Sequence, residues 1–108
     1  MEDTQLPLLI RVVRTGSGHR LHLIGELDQK STPVLLGCVE HLEAATGDRT
    51  VLDCGHLSFI DARGLSALLY AQALLGESGV SLELAEPTPM LRRILAVTGL
   101  AEVLPVVH

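Results

Sequence analysis

Between residues 19 and 24 the chain alternates, with His19, Leu21 and Leu23 set against Arg20, His22 and Ile24. A period of two puts each set on one face of a strand. Residues 8–13 are aliphatic and β-branched, interrupted only by Arg11, and read as another strand. Between the two, Arg14-Thr15-Gly16-Ser17-Gly18 has the composition of a turn. The pair is therefore expected to form an antiparallel hairpin. Residues 1–6 read as a frayed end.

After the hairpin the period lengthens. Val34, Leu35, Cys38, Val39 and Leu42 mark one face of a helix. Thr32 is its expected cap, Pro33 its first position and Gly47 its stop. Residues 50–54 form a third strand, with Val51, Leu52 and Cys54 suited to burial on both faces. Gly55-His56 is expected to break that strand and open a loop. Asp61 then caps a second helix running to about Gly76, with Leu65, Leu68, Leu69 and Leu75 at helical spacing. Val80, Leu82 and Leu84 alternate with Ser81 and Glu83, which predicts a fourth strand over 80–85. Thr88-Pro89 opens a third helix lined by Leu91, Ile94, Leu95 and Val97, and Gly99 ends it. Residues 100–107 hold a short last strand or an extended tail, limited by Pro105.

There is no internal repeat, linker or low-complexity tract. The order predicts one α/β domain, a mixed sheet of about five strands with the hairpin as its antiparallel edge. Later strands follow by right-handed parallel crossovers. That arrangement brings residues 25–32, 55–64 and 86–89 to one end, beyond the carboxyl ends of the strands, where partners and ligands bind in such sheets. Gly64 stands out there. It occupies the first turn of a helix, where it is disfavoured by up to about 1 kcal/mol relative to Ala. A bare backbone at that point admits a close neighbour, either another helix of the domain or a partner.

The run Leu57-Ser58-Phe59-Ile60-Asp61-Ala62-Arg63-Gly64-Leu65 resembles the signature loop of STAS domains, the sulphate-transporter and anti-sigma-factor-antagonist family. In those antagonists the run ends in Asp-Ser-Ser-Gly-Leu or Asp-Ser-Thr-Gly-Leu. Upstream, Gly25-Glu26-Leu27-Asp28 followed by Ser31-Thr32-Pro33 is similar to the family's Gly-Glu-Leu/Ile-Asp turn and first helix start. Downstream, Thr98-Gly99-Leu100 resembles its near-terminal Ser/Thr-Gly-Leu. The three blocks stand in the family's order and cover nearly the whole chain.

The resemblance implies a STAS-like fold and a non-enzymatic, cytoplasmic antagonist. Such a protein binds a serine-kinase-type anti-sigma factor and so frees a sigma factor. The implied surface comprises Asp61, Ala62, Arg63, Gly64, Leu65 and Ser66, flanked by Asp28, Ser31, Thr32 and Ser58. One departure matters. Regulated antagonists carry, directly after the Asp, a serine or threonine that the partner kinase phosphorylates. Here that residue is Ala62, which has no hydroxyl. Ser66 lies one turn further along the helix and is the substitute acceptor to consider, with Ser58, Ser31 and Thr32 as others. Thr32 is expected to be occupied as a cap. STAS domains also serve as scaffolds and as partner subunits of transport ATPases, which is the alternative reading.

Composition narrows the rest. The chain has 108 residues, a formal net charge of −5, and 47% hydrophobic residues whose only aromatics are Phe59 and Tyr70. The core must be aliphatic. An acidic chain with two aromatics is a poor match to a nucleic-acid binder. No stretch has the length and apolarity of a membrane span, and the acidic start, Met1-Glu2-Asp3, lacks the parts of a secretory signal. Cys38 and Cys54 read as reduced core residues rather than a disulfide framework. Cys38 with His41, and His19 with His22, make no four-ligand metal pattern, so no metal or cofactor is expected. Asp53 ends a strand as the acidic residue of a receiver domain does, but the second acidic residue and the later lysine are missing, since Lys30 is the only lysine. No phosphate loop or nucleophile elbow is present. Glu26, Asp28 and Asp61 without a base or metal suggest polar contacts, not acid–base catalysis. Oligomeric state is left open.

Overall fold

A computed structural model describes residues 8–107; the expected frayed end at residues 1–6 lies outside them. The order is β1 (Leu8–Thr15), β2 (Gly18–Leu27), α1 (Thr32–Glu40), β3 (Arg49–Ile60), α2 (Ala62–Glu77), β4 (Ser81–Ala85), α3 (Pro89–Thr98), a 3₁₀ turn (Leu100–Glu102) and β5 (Val106–Val107). The sheet order is β1-β2-β3-β4-β5. β1 and β2 are antiparallel, closed at Thr15↔Gly18, and every later pair is parallel. The predicted α/β class, mixed sheet and hairpin edge are all present.

Each crossover steps in the same direction across the sheet. Right-handed connections therefore place α1, α2 and α3 on one face. Leu35, Leu68 and Leu91 from the three helices join Leu21, Leu23, Leu52 and Leu84 of the strands in one core cluster. Among the described residues the other face carries no helix. This corrects the expectation of burial on both faces for residues 50–54: Leu52 and Cys54 are fully buried, while Val51 and Asp53 point to the open side and are half-buried.

Three other expectations change. The third strand does not break at Gly55-His56 but continues to Ile60. It stays paired with β2 by slipping register twice, between His22 and Ile24 and between Gly25 and Glu26. These are β-bulges, which insert a residue and bend a strand without ending it. Side chains hold both: Asp53 Oδ1 accepts the Gly55 amide at 3.0 Å, and Ser58 Oγ donates to the Gly25 carbonyl at 3.0 Å. Helix α1 stops at Glu40, well before Gly47, where His41 Nδ1 meets the Gly37 carbonyl at 2.8 Å. Val97 is 80% exposed rather than lining α3, so Leu91 and Leu95 anchor that helix. Residues 100–107 divide into the 3₁₀ turn and the two-residue β5.

Candidate functional site: the Asp61 helix start

Three segments meet at the carboxyl end of the sheet. Ile60 ends β3 beside Leu27 of β2, and the Asp61 amide donates to the Leu27 carbonyl at 3.3 Å. Asp61 has extended backbone, and its Oδ1 accepts the Gly64 amide at 2.8 Å. It is the predicted N-cap, satisfying one of the free amides of the first turn. The β4–α3 loop approaches from the other side: a Cβ placed on Gly55 would stand 3.3 Å from Glu86 Cβ.

Gly64 is buried, and its close neighbour is neither a helix nor a partner. A Cβ there would lie 2.2 Å from the Leu27 carbonyl oxygen. The glycine lets α2 start directly against β2, which fixes the height and direction of the helix end. Ala62 and Arg63, on the other side of that turn, are exposed. Arg63 is a cation at a helix N-terminus, where the dipole disfavours it. Leu65 is half-buried against the core, and Ser66 is exposed.

The flanking loop is built from within. Ser31, not Thr32, is the N-cap residue of α1, and no side-chain cap bond forms. Thr32 Oγ1 instead donates to the Gln29 carbonyl at 3.3 Å. Ser31 is fully buried. Its hydroxyl donates to the Glu26 carbonyl at 2.7 Å and accepts the Asp28 amide at 2.9 Å. Asp28 Oδ1 accepts the amides of Lys30 and Ser31 at 3.0 and 3.1 Å. Asp28 and Asp61 are thus engaged in turn and cap bonds, not directed at a shared reacting centre.

Of the ten residues singled out from the sequence, the structure brings all ten to this end of the sheet. Eight reach solvent at least in part, while Ser31 and Gly64 are buried and act through shape. Sequence reasoning missed the Leu27 carbonyl, which is the wall behind Gly64. The only signal for it was the disfavoured glycine itself.

Elsewhere, Cys38 and Cys54 are free thiols. Burial, with the Asp53 charge adding to it, pushes the Cys54 thiol up to about 12, and burial raises Cys38 as well. Among the described residues no three of His, Cys, Asp and Glu gather as a metal site. No helix among them is long and apolar enough to cross a membrane.

Comparison with known proteins gives a consistent picture. The family described as "Mlab, STAS domain" matches residues 10–106. An anti-sigma F factor antagonist from Paenibacillus polymyxa is 25% identical over 87 residues, 80% of this chain and 74% of that protein. An anti-sigma factor antagonist from Mycobacterium paratuberculosis superposes with a TM-score of 0.79 at 22% identity, covering 92% of this chain and 84% of the other. SpoIIAA, an anti-sigma factor antagonist solved in its unphosphorylated form, gives a TM-score of 0.72 at 17% identity over 93% and 89% of the two chains. Its phosphorylated form, from Bacillus, gives 0.62 at 20% identity over 93% and 92%. With a family match spanning nearly all the described residues and the same α/β architecture, the chain belongs to the STAS domain family.

Proposed function

We propose that this chain is a non-enzymatic anti-sigma factor antagonist that acts as one domain in the cytoplasm. It binds a serine-kinase-type anti-sigma factor and releases a sigma factor to transcription. The observation that carries the reading is the helix start itself. Asp61 caps it and Gly64 seats it against β2, and it presents Ala62 and Arg63 to solvent. The antagonists to which the chain is similar support the general role. A phosphoryl group adds about −1.5 to −2 charge at neutral pH. A partner surface shaped for a neutral residue at position 62 excludes that charge. With Ala62 in the position, the binding-competent form is permanent there, and Arg63 adds a contact that helix stability alone disfavours.

Affinity capture from the native cytosol tests this, with the full chain as bait beside its Ala62→Glu variant. Wild type is expected to retain a kinase-fold anti-sigma factor, and the charged variant to lose it. Retention of a transport ATPase or scaffold protein in its place would replace this reading with the alternative one. Equal retention by both baits would move the binding surface elsewhere.

A further inference from the structure

With position 62 closed to phosphate, the hydroxyls around the helix start decide whether the face carries any switch. Ser31 is fully buried, and its oxygen is bonded to Glu26 and Asp28. Ser58 spends its proton on the Gly25 carbonyl and holds the second bulge of β3. Thr32 is half-buried and donates to the Gln29 carbonyl. Ser66 differs from all three. It is exposed, and its hydroxyl makes no hydrogen bond to the described residues.

Its surroundings suit an added anion. Ala62, Ser66, Tyr70 and Ala73 form an exposed, uncharged strip along α2. The next carboxylate on the helix is Glu77, about three turns away. The carboxylate at the helix start, Asp61, is committed to the Gly64 amide. Arg63 is exposed and three residues before Ser66, a spacing that brings helical side chains together. A guanidinium there can form charge-assisted bonds to a phosphoryl group on Ser66. The same arginine is the charge that the helix N-terminus disfavours, so a phosphate nearby gives it a favourable role.

We propose that Ser66 is the phosphoryl acceptor of this chain; this inference rests on the antagonist reading above. The donor is a nucleoside triphosphate held by the kinase-type partner. The Ser66 Oγ–P bond forms as the bond from the terminal phosphorus to its bridging oxygen breaks. The nucleoside diphosphate leaves, and a base of the kinase takes the hydroxyl proton. The product places the charge one turn from Ala62, on the strip that continues the proposed binding face. Phosphorylation then weakens the complex from a position the family motif does not mark.

The test uses the full chain and its Ser66→Ala and Ser66→Glu variants as baits in native cytosol, first without and then with magnesium ATP. Tandem mass spectrometry locates any phosphate. Both substitutions are on an exposed helix position, and Glu and Ala are at least as helix-favouring as Ser, so both variants are expected to fold. Wild type is expected to acquire one phosphoryl group on Ser66 and the Ala variant none. Before ATP is added, the Glu variant is expected to retain at least about tenfold less partner, as like charge across an interface disfavours binding, while the Ala variant retains it as wild type does; with ATP, wild type is expected to fall below the Ala variant. If the anti-sigma factor is captured but, with ATP, phosphate lies on another residue or is absent, or if the Glu variant binds as unphosphorylated wild type does, the Ser66 assignment falls and the antagonist reading stands. If wild type captures no anti-sigma factor before ATP is added, both fall.

Discussion

On the inner face of the sheet, Leu21, Leu23, Leu52 and Leu84 are wholly buried beneath three helices. On the outer face, Leu9, Val13 and Ile24 are 53%, 40% and 37% exposed, and several polar groups of that face pair with each other. Arg20 grips Asp53 through Nη2 at 2.8 Å and Nε at 3.2 Å. His22 Nδ1 stands 3.4 Å from the same carboxylate oxygen, and Arg49 pairs with Glu83 at 2.7 Å. The polar groups of the inner face are fewer and less well served. His19 Nδ1 and Thr50 Oγ1 are buried without hydrogen-bond partners among the described residues, and the two residues are directly opposite in the β2–β3 register. One face is stabilised by apolar burial and tolerates two orphaned polar atoms. The other stays wet and pairs Arg20 with Asp53 and Arg49 with Glu83. The difference follows from connectivity, because a sheet whose crossovers all step one way has helices for only one side.

The sharpest way to break the comparison is to truncate one aliphatic residue on each face. Leu52→Ala is expected to lower unfolding stability by about 2–5 kcal/mol, since it opens a cavity in a packed core. Ile24→Ala, on the open face, is expected to change it by under about 1 kcal/mol. Urea unfolding of both variants checks this, and similar losses would mean that something covers the outer face. Thr50→Val comes next. It removes a buried hydroxyl that makes no bond, and is expected to be neutral or to stabilise by about 1 kcal/mol. A clear loss would show that Thr50 has a partner, such as an ordered water shared with His19.

The smallest effect is the outer ion pair. Burial alone would raise the carboxyl of Asp53, but the Gly55 amide, the Arg20 guanidinium and the His22 charge outweigh it and hold the group below the usual carboxylate value. The stabilisation is therefore present above the unfolded carboxylate pKa, near about 3.9, and is lost as pH falls through the lower folded value. Asp53→Asn is expected to lose a little stability at pH 7 and to flatten the acid limb of the stability–pH curve. Thermal unfolding between pH 7 and the acid limb checks this, and an unchanged acid limb would remove Asp53 from that role.

Several features were legible without the structure. Alternation in residues 19–24 assigned the faces of β2 correctly, because side chains on a strand alternate whatever it packs against. Asp61, Thr88 and Gly99 were recognisable as helix ends: Thr88 Oγ1 accepts the Leu91 amide at 3.2 Å, and Gly99 takes the left-handed conformation. Ala62 in place of a hydroxyl needed only reading. These are local properties, set within one turn or one pleat.

What the sequence by itself determined, then, is which residues face inward, where helices begin, and that position 62 carries no acceptor. The tertiary structure decided what each of those residues meets. It carried β3 through Gly55-His56, because pairing with β2 and two side-chain-held bulges outweigh the local signal of a glycine. It set Gly64 against the Leu27 carbonyl and left Ser66 free on an uncharged strip. These contacts join residues from about 30 to 40 positions apart or depend on how α2 docks. Local spacing carries no information about such neighbours, since they are fixed only when the helices settle on the sheet.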